Sequence, residues 1–330
     1  MERKMSTNNG LSTEMKSVLV MLSTYNGEKF LSEQLDSLFG QKDVYIHVLV
    51  RDDGSKDSTI EILKRYKCKN YQMTIIEGQN VGAGCSFYEL MAVACRDFPN
   101  YDYYAFSDQD DVWFSNKLSK AVDKLEKFKN DARFLMYFCK YIPTDIKLIP
   151  IRTYSLPQKN NLAANMVHNR ILGCTQVFNF ALLQKAAMIV PRIENIKSSG
   201  RHLTLHDGWT AIVGYALNAI MISSDEKLMY YRQHMNNVVG VGGGMFSLWR
   251  KRISRYFFHH KTNIKSAKSL TLLETLGDEL PYANKELIAL CASYQDTIYK
   301  RLKLATTREI YQAGVMDNIG VFIAIMLGRF

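Results

Sequence analysis

Three carboxylates stand within four residues at Asp108-Gln109-Asp110-Asp111, one residue after the apolar run 103–106. Like charges this close repel one another, so the end of a buried strand is an unfavourable place for them unless a cation is bound. Mg²⁺ and Mn²⁺ suit such a cluster, because hard cations take carboxylate oxygens together with the phosphates of a substrate. An exposed acidic turn would carry the same residues without any ion. The apolar run before the cluster and Val112-Trp113 after it favour the metal site.

His234 is a further candidate ligand, because it lies between a predicted strand at residues 228–232 and the glycine-rich stretch 240–244. A lone histidine is more often structural than a metal ligand. Its neighbours Arg232 and Asn237 are groups that bind phosphate, so a metal or diphosphate contact is equally well supported. The glycine-rich stretch lacks the spacing of a dinucleotide-binding fingerprint. It is typical of a mobile loop that closes above a bound ligand.

Alternating strands and helices must position these groups. Apolar runs at 18–23, 45–50, 73–76 and 103–106 predict buried strands, and helical spacing at 28–39, 58–66 and 86–96 predicts the helices between them. Later residues predict strands at 134–138 and 228–232 and helices at 181–189 and 207–217. The first alternation predicts a parallel sheet covered by helices. In such sheets ligands bind beyond the carboxyl ends of the strands, where the acidic cluster lies.

The polar clusters at the predicted strand ends occur in a fixed order. They are Ser23-Thr24-Tyr25-Asn26-Gly27, Asp52-Asp53-Gly54-Ser55, Asn80-Val81-Gly82 and Ser107-Asp108-Gln109-Asp110-Asp111-Val112-Trp113. In this order they resemble the motifs of family 2 glycosyltransferases. The later motifs His206-Asp207-Gly208-Trp209, Tyr231-Arg232-Gln233-His234 and Asn236-Asn237-Val238-Val239-Gly240 resemble the bacterial rhamnosyltransferase-like branch of that family. The resemblance covers about residues 18–240.

The resemblance implies an α/β fold of the GT-A type, which is Rossmann-like and mostly parallel, with a C-terminal helical extension. We expect a flexible N-terminus at 1–16 and a catalytic domain at 17–245. Within that domain, 17–112 would form the nucleotide-binding half and 113–245 the acceptor half. Residues 246–330 would form a helical, basic extension.

The resemblance also implies roles for individual residues. The donor-binding residues would be Thr24, Tyr25, Asn26, Asp52, Asp53, Asn80, Gly82, Asp108 and Arg232. The metal, Mg²⁺ or Mn²⁺, would be held by Asp108, Asp110 and His234, and the acceptor would meet His206 and Trp209. Simple turns would account equally well for Asp53 at the start of a helix and for the loop of Asn80 and Gly82.

Asp207 is the candidate general base. An inverting transfer needs a carboxylate that takes the proton of the acceptor hydroxyl as its oxygen attacks the anomeric carbon. A metal that neutralises the leaving diphosphate completes the chemical requirements. Alternatively, Asp207 caps the helix predicted to follow it, and one carboxylate could serve both purposes.

Net charge bears on the partners of the chain. Lys and Arg exceed Asp and Glu by 42 to 32, and residues 250–268 contain seven Lys or Arg and no Asp or Glu. Basic residues mixed with Trp249, Phe257 and Phe258 are typical of a helix at an anionic membrane surface. A solvated helix packed on its own domain is the alternative. None of the usual nucleic-acid-binding modules is present, so nucleic acid is not an expected partner.

Together these features predict an inverting, metal-dependent glycosyltransferase. It would move a sugar from a nucleotide-diphosphate sugar to a lipid-linked glycan acceptor in bacterial surface polysaccharide synthesis, and the branch alone indicates L-rhamnose. The alternative is a non-catalytic nucleotide-sugar or glycan-binding protein on the same fold, but such a protein would be expected to lose Asp110 or Asp207.

Cysteine usage and hydropathy indicate a cellular location. The six cysteines are scattered without a CxxC, which favours a reduced cytosolic protein. No segment resembles a signal peptide or reaches the ~20 apolar residues of a membrane span. We therefore expect a cytoplasmic protein in peripheral contact with the cytoplasmic face of the inner membrane.

Overall fold

The structure is a computed structural model that describes residues 15–69, 71–151, 160–167, 171–201, 203–234, 264–311 and 315–330. These residues form two compact units. The first unit lies within residues 1–151, 171–190 and 219–237, and the second within 152–170, 191–218 and 238–330. The predicted flexible N-terminus up to residue 14, the glycine-rich stretch 240–244 and most of the basic segment fall outside the described residues.

The first unit is built on one eight-stranded sheet with the order β3-β2-β1-β4-β7-β6-β8-β5. Its strands are β1 (Ser17–Thr24), β2 (Tyr45–Asp52), β3 (Met73–Glu77), β4 (Tyr103–Ser107), β5 (Val112–Trp113), β6 (Leu135–Thr144), β7 (Gln176–Phe178) and β8 (Ile220–Arg232). The pairs β1–β2, β1–β4, β2–β3 and β6–β8 are parallel. β7 is antiparallel to β4 and β6, and β5 is antiparallel to β8. The predicted α/β class with a mostly parallel sheet is confirmed.

The helices alternate with these strands and continue beyond them. In chain order they are α1 (Leu31–Phe39), α2 (Thr59–Cys68), α3 (Ala83–Asp97), α4 (Lys117–Glu126), α5 (Leu162–Val167), α6 (Phe180–Ala187), α7 (Ile193–Ser198), α8 (His206–Ala216), α9 (Ile264–Leu276), α10 (Tyr282–Ser293), α11 (Ile298–Ala305) and α12 (Val315–Met326). The last four form the predicted C-terminal helical extension. Among the described residues, no helix combines the length and the apolar character needed to cross a membrane.

The centre of the sheet explains the continuous apolar runs of the sequence. Leu19, Val20 and Met21 of β1 are fully buried, because β1 lies between β2 and β4 with helices covering the sheet. The parallel register pairs Thr24 with Asp52 and Leu22 with Ser107. The carboxyl ends of β1, β2 and β4 therefore meet at one edge of the sheet, as the alternation predicts.

Among the element boundaries that differ from the predicted ones, two do so for clear local reasons. The first helix begins at Leu31, three residues later than expected, because the N–H groups of Phe30 and Leu31 both donate to the Gly27 carbonyl in a preceding turn. β8 begins at Ile220 rather than at residue 228. Its middle is exposed from Asp225 to Lys227, so its apolar pattern is interrupted.

In the second unit, helices pack around α8. The Asn284 side chain of α10 donates to the carbonyl oxygens of Ala216 and Tyr215, at 2.9 and 3.3 Å, and thereby supplies a hydrogen-bond donor to the end of α8. At the C-terminus, the Tyr294 hydroxyl accepts from the Phe330 N–H at 2.8 Å and donates to its carbonyl oxygen at 3.1 Å. These bonds tie the last residue to α10.

Candidate active site

Asp52 organises the loop that follows β2. The Thr24 hydroxyl donates to Asp52 Oδ1 at 3.0 Å, and the Ser55 hydroxyl donates to the same oxygen at 2.5 Å. The N–H groups of Gly54 and Ser55 donate to Oδ2 at 3.1 and 2.8 Å. Thr24 and Asp52, both predicted to meet the nucleotide, are thus brought together, and the buried carboxylate holds the loop beside them in shape.

Gln109 joins the acidic cluster to the end of β1. Its Oε1 accepts from the Tyr25 N–H at 2.8 Å, and its Nε2 donates to the Tyr25 carbonyl at 3.0 Å. A Cβ at Gly27 would lie 2.3 Å from Oε1, so any larger residue there would displace the Gln109 side chain from these bonds. Asn26 adopts a left-handed conformation with φ of 46°, and its amide oxygen accepts from the Lys56 N–H at 2.9 Å. Tyr25 and Asn26 remain exposed at this edge.

Asp53 and Arg51 fix the loop after β3. The N–H groups of Val81 and Gly82 each donate to the Asp53 carboxylate at 2.9 Å, and the Arg51 guanidinium donates to it at 2.5 Å. Both charged groups are buried, and each satisfies the other. Asn80 is exposed in the same loop, two residues before Gly82, which precedes α3. The structure therefore joins Asp53, in the loop after β2, to the loop after β3 that carries the predicted residues Asn80 and Gly82.

Asp110 and His234 meet at the end of the sheet although 124 residues separate them in the sequence. Asp110 Oδ2 and His234 Nε2 are 2.6 Å apart. The Phe30 ring stacks on the imidazole with a centroid distance of 5.4 Å. Both polar side chains keep a small exposed fraction, 15% for Asp110 and 18% for His234, so a ligand can reach them.

Arg232 holds the backbone that carries Asp110 in place. Its guanidinium donates to the carbonyl oxygens of Asp110 and Ile146, at 2.8 and 2.6 Å, and forms an ion pair with Glu33 of α1. The guanidinium carbon lies 4.3 Å from the Phe30 ring centroid. The side chain is 2% exposed. Arg232 is thus held by protein groups on several sides and positions the backbone of the acidic cluster.

Asp111 is the buried member of the acidic cluster. Its Oδ1 accepts from the Arg232 N–H at 3.2 Å, and the Cys174 thiol hydrogen-bonds to the carboxylate. Burial, followed by the negative charges of Asp110 and Asp108, raises the pKa of the Asp111 carboxyl well above its ordinary value. Ligand atoms of Asp108, Asp111 and Cys174 lie within 4.8 Å of one another.

The residues present fit a divalent cation at this edge of the sheet. Asp110 and His234 offer a carboxylate oxygen and an imidazole nitrogen side by side, and Asp108 adds a second partly exposed carboxylate two residues away. The negative charges of Asp110 and Asp108 add to burial, the larger cause, in raising the pKa of Asp111. Oxygen-rich sites of this kind select Mg²⁺ or Mn²⁺, and the single imidazole is compatible with Mn²⁺.

A buried lysine lies near the acidic cluster. Lys117 begins α4, its side chain is fully buried, and its Nζ lies 3.2 Å from the centroid of the Trp113 ring. Burial lowers the pKa of Lys117 to about 8, although the charges of Cys139, Cys174 and Asp111 act in the opposite direction. The ammonium is stabilised by the aromatic face and by the negative charge nearby.

Replacing Lys117 with Met is expected to change how stability depends on pH. The unfolded chain keeps the lysine proton up to a pKa of about 10.5, whereas the folded protein releases it near pH 8. Stability therefore rises with pH in this window, and the wild type should gain about 1.4 kcal/mol more than Lys117→Met between pH 7 and pH 9. Urea unfolding at the two pH values measures this difference. An equal gain in both proteins would show that the pKa of Lys117 is not lowered in the folded state.

In the second unit, Asp207 lies in the first turn of α8. Its Oδ1 accepts from the Gly208 N–H at 2.6 Å, and the capping residue of the helix is Leu205, whose side chain makes no capping bond. Asp207 is partly exposed, whereas His206 is buried and Trp209 has no exposed surface. Burial lowers the pKa of His206 to about 3, so its ring is neutral at physiological pH. The two predicted acceptor residues, His206 and Trp209, are therefore buried side chains of α8, whereas Asp207 beside them is partly exposed.

Lys268 of α9 supplies a positive charge near Asp207. Its Nζ is buried and donates to the Met166 carbonyl at 3.4 Å. Burial lowers the pKa of Lys268 to about 8, and the Asp207 carboxylate acts in the opposite direction by favouring the charged lysine. A cation at this place in turn stabilises the ionised form of Asp207, which a general base requires.

Several of these groups are absent from the residues predicted to form the site. The bridging residues Gln109, Glu33 and Phe30 and the buried cations Lys117 and Lys268 are among them. Gln109 stands inside the acidic motif, so its position could have drawn attention. Lys117 and Lys268 carry no sequence signal, because a lysine in a helical pattern predicts an exposed face.

Comparison with protein families gives a match over the strand-end motifs. The model described as Glycosyl transferase family 2 matches residues 19–187, which is about half of the chain. The dTDP-rhamnosyl transferase RfbG of Shigella flexneri is 33% identical over 231 residues, which cover 66% of this chain and 73% of that protein. An uncharacterised glycosyltransferase of Rickettsia prowazekii, RP339, is 26% identical over 52% of each chain.

Solved structures show the same fold. The S. aureus TarS 1–349 structure in complex with UDP-GlcNAc has a TM-score of 0.52 at 17% identity, over 94% of this chain and 81% of that one. The UDP complex of the same protein gives a TM-score of 0.52 at 19% identity, over 84% and 71%. The strand-end motifs, the GT-A fold and these relatives agree, and they do not favour the non-catalytic alternative. The chain belongs to glycosyl transferase family 2 and is a glycosyltransferase.

Proposed function

We propose that this glycosyltransferase moves L-rhamnose from a dTDP-sugar to a glycan acceptor, with Mg²⁺ or Mn²⁺ bound at the acidic cluster. The observation that carries the metal and donor assignment is the Asp110–His234 pair, 2.6 Å apart at the strand ends, beside the partly exposed Asp108. The dTDP-rhamnosyl donor is supported by the 33% identical relative, whose name states that donor. The TarS complexes hold UDP and UDP-GlcNAc, which supports a nucleotide-sugar donor in general.

The nucleotide would bind along the ends of β1, β2 and β3. Tyr25 and Asn26 are exposed there, and the loops beneath them are held by the buried carboxylates of Asp52 and Asp53. Preformed loops lower the entropic cost of ordering the site when the donor binds. Asn80 and Gly82 would form the floor of this part of the site.

The diphosphate would lie against the acidic cluster. Asp108, Asp110 and His234 would hold the divalent cation, which supplies positive charge to the leaving diphosphate. Arg232 would act through the protein, because its guanidinium donates to the Asp110 carbonyl and keeps the ligand-bearing backbone in place. Its predicted role as a direct donor contact becomes one of positioning in this proposal.

Asp207 would take the proton of the acceptor hydroxyl as the hydroxyl oxygen attacks the anomeric carbon. One displacement of this kind inverts the anomeric configuration. The charge of Lys268 would keep the Asp207 carboxylate ionised. The neutral ring of His206 and the buried ring of Trp209 would support the first turn of α8 that presents Asp207 to the acceptor.

We further propose a cytoplasmic enzyme whose acceptor is carried on a lipid and which meets the membrane peripherally. The basic residues of 250–268 support contact with an anionic surface. The acceptor, the linkage and the biosynthetic product would belong to a bacterial surface polysaccharide.

A donor screen tests the donor and the metal, and analysis of the product tests the stereochemistry. The full chain is incubated with dTDP-L-rhamnose, UDP-GlcNAc or GDP-mannose, each with and without Mn²⁺, and melting temperatures are compared. We expect the largest stabilisation with dTDP-L-rhamnose and Mn²⁺ together, since a ligand at 100 times its Kd stabilises by ~2.7 kcal/mol. Proton NMR of the transferred sugar should show the anomer opposite to that of the donor.

Two results would overturn parts of this proposal. Equal stabilisation by all three donors, independent of Mn²⁺, would reject the rhamnosyl donor and the metal. A product that retains the anomeric configuration of the donor would reject Asp207 as the base of a single displacement.

A further inference from the structure

The exposed side of α12 is apolar. Its large side chains Ile319, Phe322 and Ile323, with Leu327 just after the helix, are 38% to 53% exposed. They recur at helical spacing and form one stripe, while Val321 and Ile325 on the other side are buried. Residues 318–327 contain no charged residue. A helix that is apolar on both its buried and its exposed sides points to a partner for the exposed one.

The neighbouring helix α11 repeats this feature. Ile298, Tyr299 and Leu302 are 47% to 70% exposed on it. The two helices are in contact, because the Arg301 guanidinium of α11 donates to the Met326 carbonyl at 3.3 Å. We name the exposed apolar residues of α11 and α12 the C-terminal apolar surface: Ile298, Tyr299, Leu302, Ile319, Phe322, Ile323 and Leu327.

Positive charge accompanies this surface. Among the described side chains of 298–330, the exposed basic residues are Lys303, Arg308 and Arg329, and the exposed acidic residue is Glu309. Residues 246–330 carry 13 Lys and Arg against 7 Asp and Glu. This quarter of the chain thus supplies six of the ten excess positive charges.

We propose that the C-terminal apolar surface binds an anionic lipid membrane, with the helices lying in the interface. α12 has 12 residues, and a span needs ~20, so the helix can enter the headgroup region without crossing. Tyr299 combines an apolar ring with a polar hydroxyl, which suits the boundary between lipid and water. A second copy of the chain fits less well, because two such basic segments would repel each other when they meet.

This proposal rests on the proposed function in one respect, the lipid-linked acceptor that gives the contact its purpose. It differs from the membrane contact predicted from residues 250–268, since the apolar residues that enter the lipid belong to α11 and α12. The two sets of basic residues would act together on the same anionic surface.

Liposome flotation of the full chain tests the surface. Vesicles of phosphatidylglycerol and phosphatidylethanolamine should carry the protein, vesicles of phosphatidylcholine should not, and binding should weaken as salt rises. The double variant Phe322→Gln/Ile323→Gln should reduce partitioning by about tenfold or more, because two apolar side chains no longer enter the interface. The matched control is Ile149→Gln, an exposed isoleucine in the first unit, which should float like the wild type.

Several results would overturn the proposal. They are a wild type that fails to float with anionic vesicles, equal flotation of the double variant, and a concentration-dependent dimer that the double variant abolishes. The last would identify a second copy as the partner. Donor-dependent melting shifts of the double variant, measured without lipid, show separately whether donor binding is intact. A protein that floats but binds no nucleotide sugar would leave the membrane surface in place and reject the donor proposal.

Discussion

Asp110→Asn is expected to lower sugar transfer by more than about 100-fold. Changes to residues that merely support metal ligands cost ~10–100-fold, so losing a ligand should cost more. The carboxylate is 2.6 Å from His234 Nε2, and the amide would replace a charged oxygen with a neutral group at the place where the cation is proposed to bind. Initial rates of transfer at saturating donor, together with calorimetric titration of Mn²⁺, measure the effect.

The matched control for Asp110→Asn is Asp225→Asn, which removes a carboxylate that is 91% exposed in β8. We expect this control to keep wild-type Mn²⁺ affinity and wild-type transfer. Full activity of the wild type in excess EDTA would refute the metal site. Unchanged Mn²⁺ affinity in Asp110→Asn would refute Asp110 as a ligand.

Asp207→Asn is expected to lower turnover by ~10²–10⁴-fold, the usual contribution of general-base catalysis. The amide oxygen of Asn can still accept from the Gly208 N–H, so the first turn of α8 should keep its hydrogen bond. The change therefore removes the proton acceptor and leaves a folded protein. Single-turnover transfer rates at saturating donor separate this effect from donor binding.

Two controls accompany Asp207→Asn. Its melting temperature and its donor-dependent melting shift should match those of the wild type, because the proposed donor site lies in the first unit. Near-normal turnover at an unchanged melting temperature would leave Asp207 with a purely structural role in its helix turn. A lower turnover accompanied by a lower melting temperature would also indicate a structural role for Asp207.

The parallel part of the sheet could be predicted from the sequence because its strands are buried on both faces. Runs of consecutive apolar residues at β1, β2 and β4 mark such strands directly. The rest of the sheet gives a weaker signal. β7 has three residues and β5 has two, and β8 has an exposed charged middle that interrupts its apolar pattern.

The site could be predicted in part for the same reason. Residues at the carboxyl ends of parallel strands must converge, so Thr24, Asp52 and the acidic cluster were accessible to sequence reasoning. The contacts of Arg232 with Glu33 and Ile146 join segments 199 and 86 residues away from it. Contacts over such separations depend on tertiary structure, which local patterns do not contain.

The binding mode of Arg232 has a consequence for how the family can diverge. Two of its guanidinium contacts are to main-chain carbonyls, of Asp110 and Ile146, and every amino acid carries a carbonyl. Substitution at position 146 would therefore leave the anchor intact so long as the backbone keeps its path. Glu33 contributes through its side chain, so positions 33 and 232 are expected to change together. An alignment of relatives should show unrestricted variation at position 146 and correlated substitutions at positions 33 and 232.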